Sequence, residues 1–211
     1  MGAVRSKLRN IYDILHEYFG EQQWWPAEDR DEIVIGAVLT QNTAWINVES
    51  AIKNLKKYNI CSFKGILNTK ISVLKEQIKP AGFFNQKAQY LRNISKFFIE
   101  NGEFEGLSKY GLYDLRDKLL HISGIGYETA DSILLYAFDM PIFVVDAYTK
   151  RILNRHNITD STNYNILQRI FMDNCTNDAY LFAQYHALIV ETAKKFCRVK
   201  PLCDDCPLKG V

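Results

Sequence analysis

His121-Ile-Ser-Gly-Ile-Gly-Tyr-Glu-Thr-Ala-Asp-Ser-Ile-Leu-Leu-Tyr136 decides how the rest of the chain is read. It has the form of a helix, a tight glycine-containing turn and a second helix. In the turn, Ile122-Ser-Gly-Ile-Gly126, apolar residues bracket two glycines. Gly124 and Gly126 can adopt backbone angles that a Cβ forbids. Their amides can then point outward at the start of the next helix, where an anion is favoured. A phosphate needs such a surface: open amides, no side chain in the way and a helix dipole behind. Ile122 and Ile125 are expected to bury the turn against its own helices. Ten residues past Tyr136, Asp146 stands alone after the apolar run Pro141-Ile-Phe-Val-Val145.

Outward from that stretch the chain reads as almost entirely helical. Amphipathic spacing runs through Val4–Phe19, Glu32–Leu39, Trp45–Tyr58 and Gln86–Ile99, then Tyr113–His121, Tyr127–Phe138, Ala147–Arg155, Tyr164–Met172 and Ala179–Phe196. Gly20, Pro80-Ala-Gly82, Asn101-Gly102, Gly111 and Asn174 act as breakers. No alternating strand pair, repeat or low-complexity linker interrupts this, so the fold class is all-α. The 211 residues and 47% hydrophobic content are those of a globular chain able to bury a sizeable core. No apolar run is long enough for a transmembrane helix, and the N-terminus lacks a signal-peptide layout, so no membrane is expected. The formal net charge of +2 is too small to indicate nucleic acid by itself. A basic surface must come from clustering, as at Lys194, Lys195, Arg198 and Lys200, or else that cluster is a solvated helix end.

The glycine turn followed by Asp146 resembles the helix-hairpin-helix DNA glycosylase superfamily, the endonuclease III group. Every element of its hairpin pattern is present except a leading Leu, here Ile122. The resemblance implies two helical lobes. One is a six-helix lobe over residues 22–137 that ends in the hairpin. The other is a terminal lobe of residues 1–21 and 138–211, with DNA in the groove between them. It also implies that Asp146 is the catalytic carboxylate. The partner is then double-stranded DNA containing damaged bases and the protein a monomer; cysteines read as reduced thiols and metal ligands point to the cytoplasm, with nucleoid association in a prokaryote.

Cys197, Cys203 and Cys206 are spaced C-x5-C-x2-C. Three thiols within ten residues suit a loop around a metal, and from spacing alone zinc is the default. The resemblance points instead to a [4Fe-4S] cluster of structural role, with no metal as a further alternative. The family spacing is C-x6-C-x2-C-x5-C, and a fourth Cys would fall at position 212, past the last residue of this sequence. Cys61 and Cys175 do not match the motif and read as ordinary buried thiols. His16, His121, His156 and His186 show no metal spacing and read as ordinary.

In bifunctional relatives a Lys follows the hairpin and forms a Schiff base with the sugar. Here Tyr127-Glu128 stands in its place, and a carboxylate cannot form an imine. The expectation is a monofunctional enzyme in which Asp146 activates water and stabilises the sugar cation. Glu128 is either a pocket residue or a first-turn glutamate favoured by the helix dipole.

The loop Glu21-Gln-Gln-Trp24-Trp25-Pro26-Ala27, with Trp45, suggests the target. A flipped base needs a stacking slot, and a methylated purine such as 3-methyladenine is cationic and attracted to aromatic faces. Trp24-Trp25-Pro26, Leu39-Thr-Gln-Asn-Thr43, Gly82-Phe-Phe-Asn-Gln-Lys-Ala88 and Gly124-Ile-Gly126 with Glu128 resemble the 3-methyladenine DNA glycosylase III branch. There the Trp-Trp-Pro loop and an aromatic at the place of Trp45 line the pocket, so Trp24, Trp25, Pro26, Trp45 and Glu128 are the candidate base-pocket residues. A packed core cluster under the N-terminal helix is the alternative for the tryptophans. For DNA the candidates are Gln41, which in the family fills the hole left by the flipped base, and Phe83, which wedges the opposite strand. Gly124, Gly126 and Tyr127 of the hairpin join them. Two other functions stay open: a bifunctional glycosylase and lyase acting on oxidised pyrimidines, and a non-catalytic helix-hairpin-helix DNA-binding module.

Overall fold

The computed structural model describes residues 2–211, and among these it has helices and no strands. The chain divides into two compact units, each packed mainly on itself. One is Trp25–Phe138, and the other combines the chain up to Trp24 with Asp139–Val211.

The Trp25–Phe138 unit holds α2 (Arg30–Leu39), α3 (Trp45–Lys57), α4 (Phe63–Asn68), α5 (Ile71–Gln77), a 3-10 turn (Lys79–Ala81), α6 (Phe84–Glu100), α7 (Glu103–Leu107), α8 (Leu112–Leu120) and α9 (Tyr127–Phe138). Helices α2 and α9 bury most of their residues, which places them at its centre. Around them α3, α6 and α8 each bury one apolar stripe. Val34, Ile35, Leu55, Leu91, Ile94, Leu119, Ile133 and Leu134 are fully shielded from solvent. Each such side chain contributes about 1.5–3 kcal/mol through removal from water. At the far end, Phe63, Phe98, Phe104 and Phe138 pack ring on ring.

The terminal unit holds α1 (Gly2–Phe19), α10 (Ala147–Arg155), α11 (Tyr164–Met172) and α12 (Ala179–Lys195), followed by the cysteine loop. Its core packs α12 against α1 and α10. The Tyr185 hydroxyl of α12 donates to the Leu8 carbonyl of α1 at 2.8 Å, and Phe143 stacks on Phe171 at 3.6 Å. Helix starts are capped by short polar side chains. Asp29, Ser62, Asp146, Asn163 and Asp178 each accept an amide of the first turn.

Periodicity locates the long helices close to where they lie, whereas α4, α5 and α7 escape it. Each is five to seven residues long. That is about two turns or fewer, too short for a 3.6-residue period to be counted.

Candidate functional site: hairpin, aromatic loop and capped carboxylate

The hairpin forms between α8 and α9. The Ile125 amide closes the turn onto the Ile122 carbonyl at 3.0 Å, and the Ala130 amide starts α9 on the Gly126 carbonyl at 2.9 Å. Ile125 is buried and Ile122 half-buried. Gly124 has φ +94°, and a Cβ there would fall 2.0 Å from the Tyr90 ring of α6. Both facts require glycine. Gly126 is different: an added Cβ would meet nothing within 4 Å, so its backbone faces open space. Gly126, Tyr127 and Glu128 are all exposed at the start of α9. An open backbone at the start of a helix is favourable ground for an anion.

Two ties with no sequence signature hold the hairpin. Asp131 of α9 is fully buried and accepts both Arg116 nitrogens of α8, at 2.6 and 2.9 Å. The Arg116 guanidinium also lies over the Tyr127 ring at 5.0 Å. The second tie is Gln41, whose amide donates to the Gly124 carbonyl at 2.9 Å and the Thr129 hydroxyl at 3.1 Å. Gln41 is thus turned onto the hairpin. Replacing Asp131 by Ala removes a fully buried carboxylate that accepts two Arg116 nitrogens, at a cost of about 3–5 kcal/mol. We expect a fall in melting temperature of roughly ten degrees, read by calorimetry. An unchanged melting temperature would mean that the pair contributes nothing to the hairpin.

Phe83 is 61% exposed, at φ +45° immediately before α6. A large apolar side chain held outward by left-handed backbone suits a wedge. Behind it lies buried Lys87, whose ammonium donates to the Leu39 and Ala81 carbonyls, both at 2.8 Å. Burial pulls this amine down to about 8. Lys87 therefore joins the end of α2, two residues before Gln41, to the turn that carries Phe83.

The unit boundary falls between Trp24 and Trp25, and the two rings have separate surroundings. Trp25 has φ +66°, uncommon for so bulky a residue. Its ring lies 4.9 Å from Tyr136, 5.5 Å from Trp45 edge-on, and close over Gly36. With Pro26 it borders a recess also lined by Glu32, Gly36, Glu49 and Ile52. The recess measures about 30 Å³, room for a water rather than a purine. Trp24 packs edge-on to His186 at 6.1 Å, with the Lys194 ammonium 5.0 Å from its centroid.

Asp146 ends the extended segment that leads into α10. The Gln168 amide holds the Phe143 carbonyl at 2.7 Å, and the Tyr164 hydroxyl lies 3.4 Å from the Val145 amide. So fixed, Asp146 caps α10, with Oδ1 accepting the Thr149 amide at 2.7 Å. Its Oδ2 faces His186 Nε2 at 3.6 Å, farther than a hydrogen bond. Burial alone pushes this carboxyl up. His186 and the Thr149 amide outweigh burial and hold it below the ordinary aspartate value. The spacing of the histidines does not single out His186. The signal that does is its place beside the buried run Ala187-Leu188-Ile189-Val190, where a polar ring needs a partner.

In the cysteine loop, Cys197 is buried, Cys206 half-buried and Cys203 exposed, and none forms a disulfide. Arg155 donates to the Cys197 sulfur at 3.2 Å and to the Arg198 carbonyl at 2.6 Å, while Arg151 holds the Cys197 carbonyl at 2.7 Å. Among the described residues no three His, Cys, Asp or Glu side chains are gathered to hold a metal ion. As placed, the cysteines supply three sulfur donors but not a closed site. Cys61 and Cys175 lie elsewhere, half-buried, their thiols pushed up by burial to about 12 and about 11.

Comparison with known proteins agrees with the hairpin. The family described as HhH-GPD superfamily base excision DNA repair protein matches residues 35–177. A Methanocaldococcus jannaschii protein named provisionally as a DNA repair glycosylase is 53% identical over 203 residues, covering 94% of this chain and 92% of its own. Endonuclease III of Thermotoga maritima is 28% identical, over 86% of this chain and 82% of its own. Among solved structures, H. pylori 3-methyladenine DNA glycosylase bound to 1,N6-ethenoadenine is similar with a TM-score of 0.79 and 30% identity, over 91% of this chain and 97% of that one. A non-covalent endonuclease III–DNA complex gives a TM-score of 0.81 at 20% identity, over 97% and 92%, a likeness of fold. With the glycine hairpin formed and the family matched across it, the chain belongs to the HhH-GPD superfamily of base excision DNA repair proteins and is a DNA glycosylase.

Proposed function

We propose that this glycosylase is monofunctional and removes alkylated purines of the 3-methyladenine type. The observation that carries the proposal is Glu128, exposed in the first turn of α9 directly after the hairpin, where an imine-forming enzyme needs an amine. Water is then the nucleophile. Asp146 orients and deprotonates it and stabilises the positive charge that develops on the sugar. A cationic base is already a good leaving group, so little acid catalysis is required. Trp24, Trp25, Pro26, Trp45 and Glu128 serve the base, and its charge favours aromatic faces. Gln41, Phe83 and the hairpin residues Gly124, Gly126 and Tyr127 serve the DNA. The 30% identity to a 3-methyladenine DNA glycosylase supports the same base class.

The test is incubation with methylated duplex DNA, with and without borohydride. Release of 3-methyladenine with no trapped protein–DNA adduct is expected. An adduct would replace this reading with a bifunctional one, and neither product would leave a glycosylase of another base class.

A [4Fe-4S] cluster on Cys197, Cys203 and Cys206 is part of the proposal, as structural support with no step of base removal passing through it. It requires the three thiols to close around the metal and a fourth ligand from outside the three. Purified without oxygen, the protein is expected to be brown with about four irons per chain. Stoichiometric zinc, or no metal, would overturn this.

A further inference from the structure

The group in contact with Asp146 that base removal as proposed does not use is His186. It is 5% exposed, on α12, which packs against α10. The two carboxylate oxygens of Asp146 have different surroundings. Oδ1 is committed to the helix cap through the Thr149 amide. Oδ2 is the oxygen that faces the imidazole. Two aromatic edges fix the plane of that imidazole, Trp24 at 6.1 Å and Phe143 at 6.5 Å, both at 89° to it. The ring therefore has little freedom to leave Oδ2.

We propose that His186 is a positioning residue for base excision: it holds Asp146 Oδ2 and keeps the carboxylate ionised, and so sets the acid limit of the reaction. This rests on the reading of Asp146 as the catalytic carboxylate. The physical need is specific. Asp146 must be a carboxylate to receive a proton from water and to face a sugar cation, yet its burial disfavours charge. The cap supplies one compensating donor and the helix dipole. The second compensating group is His186, whose Nε2 faces Oδ2 at 3.6 Å and acts there through the ring's N–H dipole when neutral and through a full opposite charge when protonated. Of the other groups nearby, Phe143 brings no charge, and the Tyr164 hydroxyl of α11 accepts the Val145 amide. Lys194 lies over the Trp24 ring and is paired with Glu191 on the same helix at 3.2 Å.

The sign of the pH effect follows. An opposite charge or donor lowers a carboxyl pKa, so removing it raises that pKa. The ionised form is then lost at a higher pH, and the acid limb of excision moves up. The loss of one close partner moves it by about one pH unit or more.

The experiment measures single-turnover release of 3-methyladenine from dimethyl sulfate-treated duplex DNA against pH. It compares wild type, His186→Phe, His186→Gln and Asp146→Asn. Phe keeps a ring against Trp24 and Phe143 but donates nothing. Gln keeps a neutral donor. The expected result is an acid limb displaced upward by about one pH unit or more in His186→Phe, with part of the displacement recovered in His186→Gln. Should the Phe variant fail to fold, the Gln variant alone is expected to show the smaller upward displacement. Folded His186 variants with the wild-type acid limb, alongside an inactive Asp146→Asn, would overturn the role of His186. An active Asp146→Asn would instead remove the reading of Asp146 on which it rests.

Discussion

Asp146→Asn is expected to lower single-turnover base excision by roughly 10³-fold or more while leaving duplex binding within a few-fold of wild type. The substitution is unusually clean here because Asp146 has two separable tasks. As the cap of α10 it accepts the Thr149 amide at 2.7 Å. Asparagine caps helices about as well as aspartate, so this task survives. In the proposed mechanism it takes a proton from water as a carboxylate and faces positive charge on the sugar, and an amide does neither. General-base catalysis is worth about 10²–10⁴-fold, and a preorganised charge at the transition state about 10²–10³-fold. Duplex affinity comes mostly from phosphate contacts and is untouched. A variant that melts with wild type and still excises within a few-fold would take Asp146 out of the mechanism.

The features legible in the sequence are those whose chemistry forces a residue type. Gly124 is glycine because φ +94° and the Tyr90 ring exclude a Cβ, and a glycine pair between helices announces such a turn. Asp146 stands out because a lone carboxylate follows an apolar run. The illegible features join residues far apart in the chain. Arg116 and Asp131 are fifteen positions apart and ordinary on their own helices, and only the hairpin brings them together. Lys87 falls on the buried stripe of α6, in line with Leu91 and Ile94, where the helical period calls for an apolar side chain, and only the fold shows its ammonium tying the end of α2 to the 3-10 turn. His186 lies forty residues beyond Asp146, and no local pattern links them. Gln41 shows a different limit. Its residue type suits insertion into a duplex, but the same amide also suits the Gly124 carbonyl that it holds.

Trp25→Ala and Trp45→Ala are expected to reduce excision of 3-methyladenine by about ten- to several-thousand-fold in kcat/KM, with binding to undamaged duplex preserved. Stacking of a flipped base on an aromatic is worth about 1–3 kcal/mol. The positive charge of the base adds about 0.5–2 kcal/mol. At about 1.36 kcal/mol per factor of ten these give the stated range. The two rings also touch each other and, through Trp25, Tyr136, so part of each is packing. Neither is fully buried, and the recess they border holds only about 30 Å³. A base can therefore stack only on an outer face or after Trp25 has swung aside. The second course is helped by its left-handed backbone, which is costly to hold without a compensating contact. A purely packing role makes a different forecast. Both variants then melt early, by the cost of truncating a large aromatic, up to about 3–5 kcal/mol, and the folded fraction excises normally. Melting temperature measured beside single-turnover excision separates the two. Normal excision per folded molecule in both variants would make these tryptophans core residues and would leave the alkylated-base assignment without its main physical support.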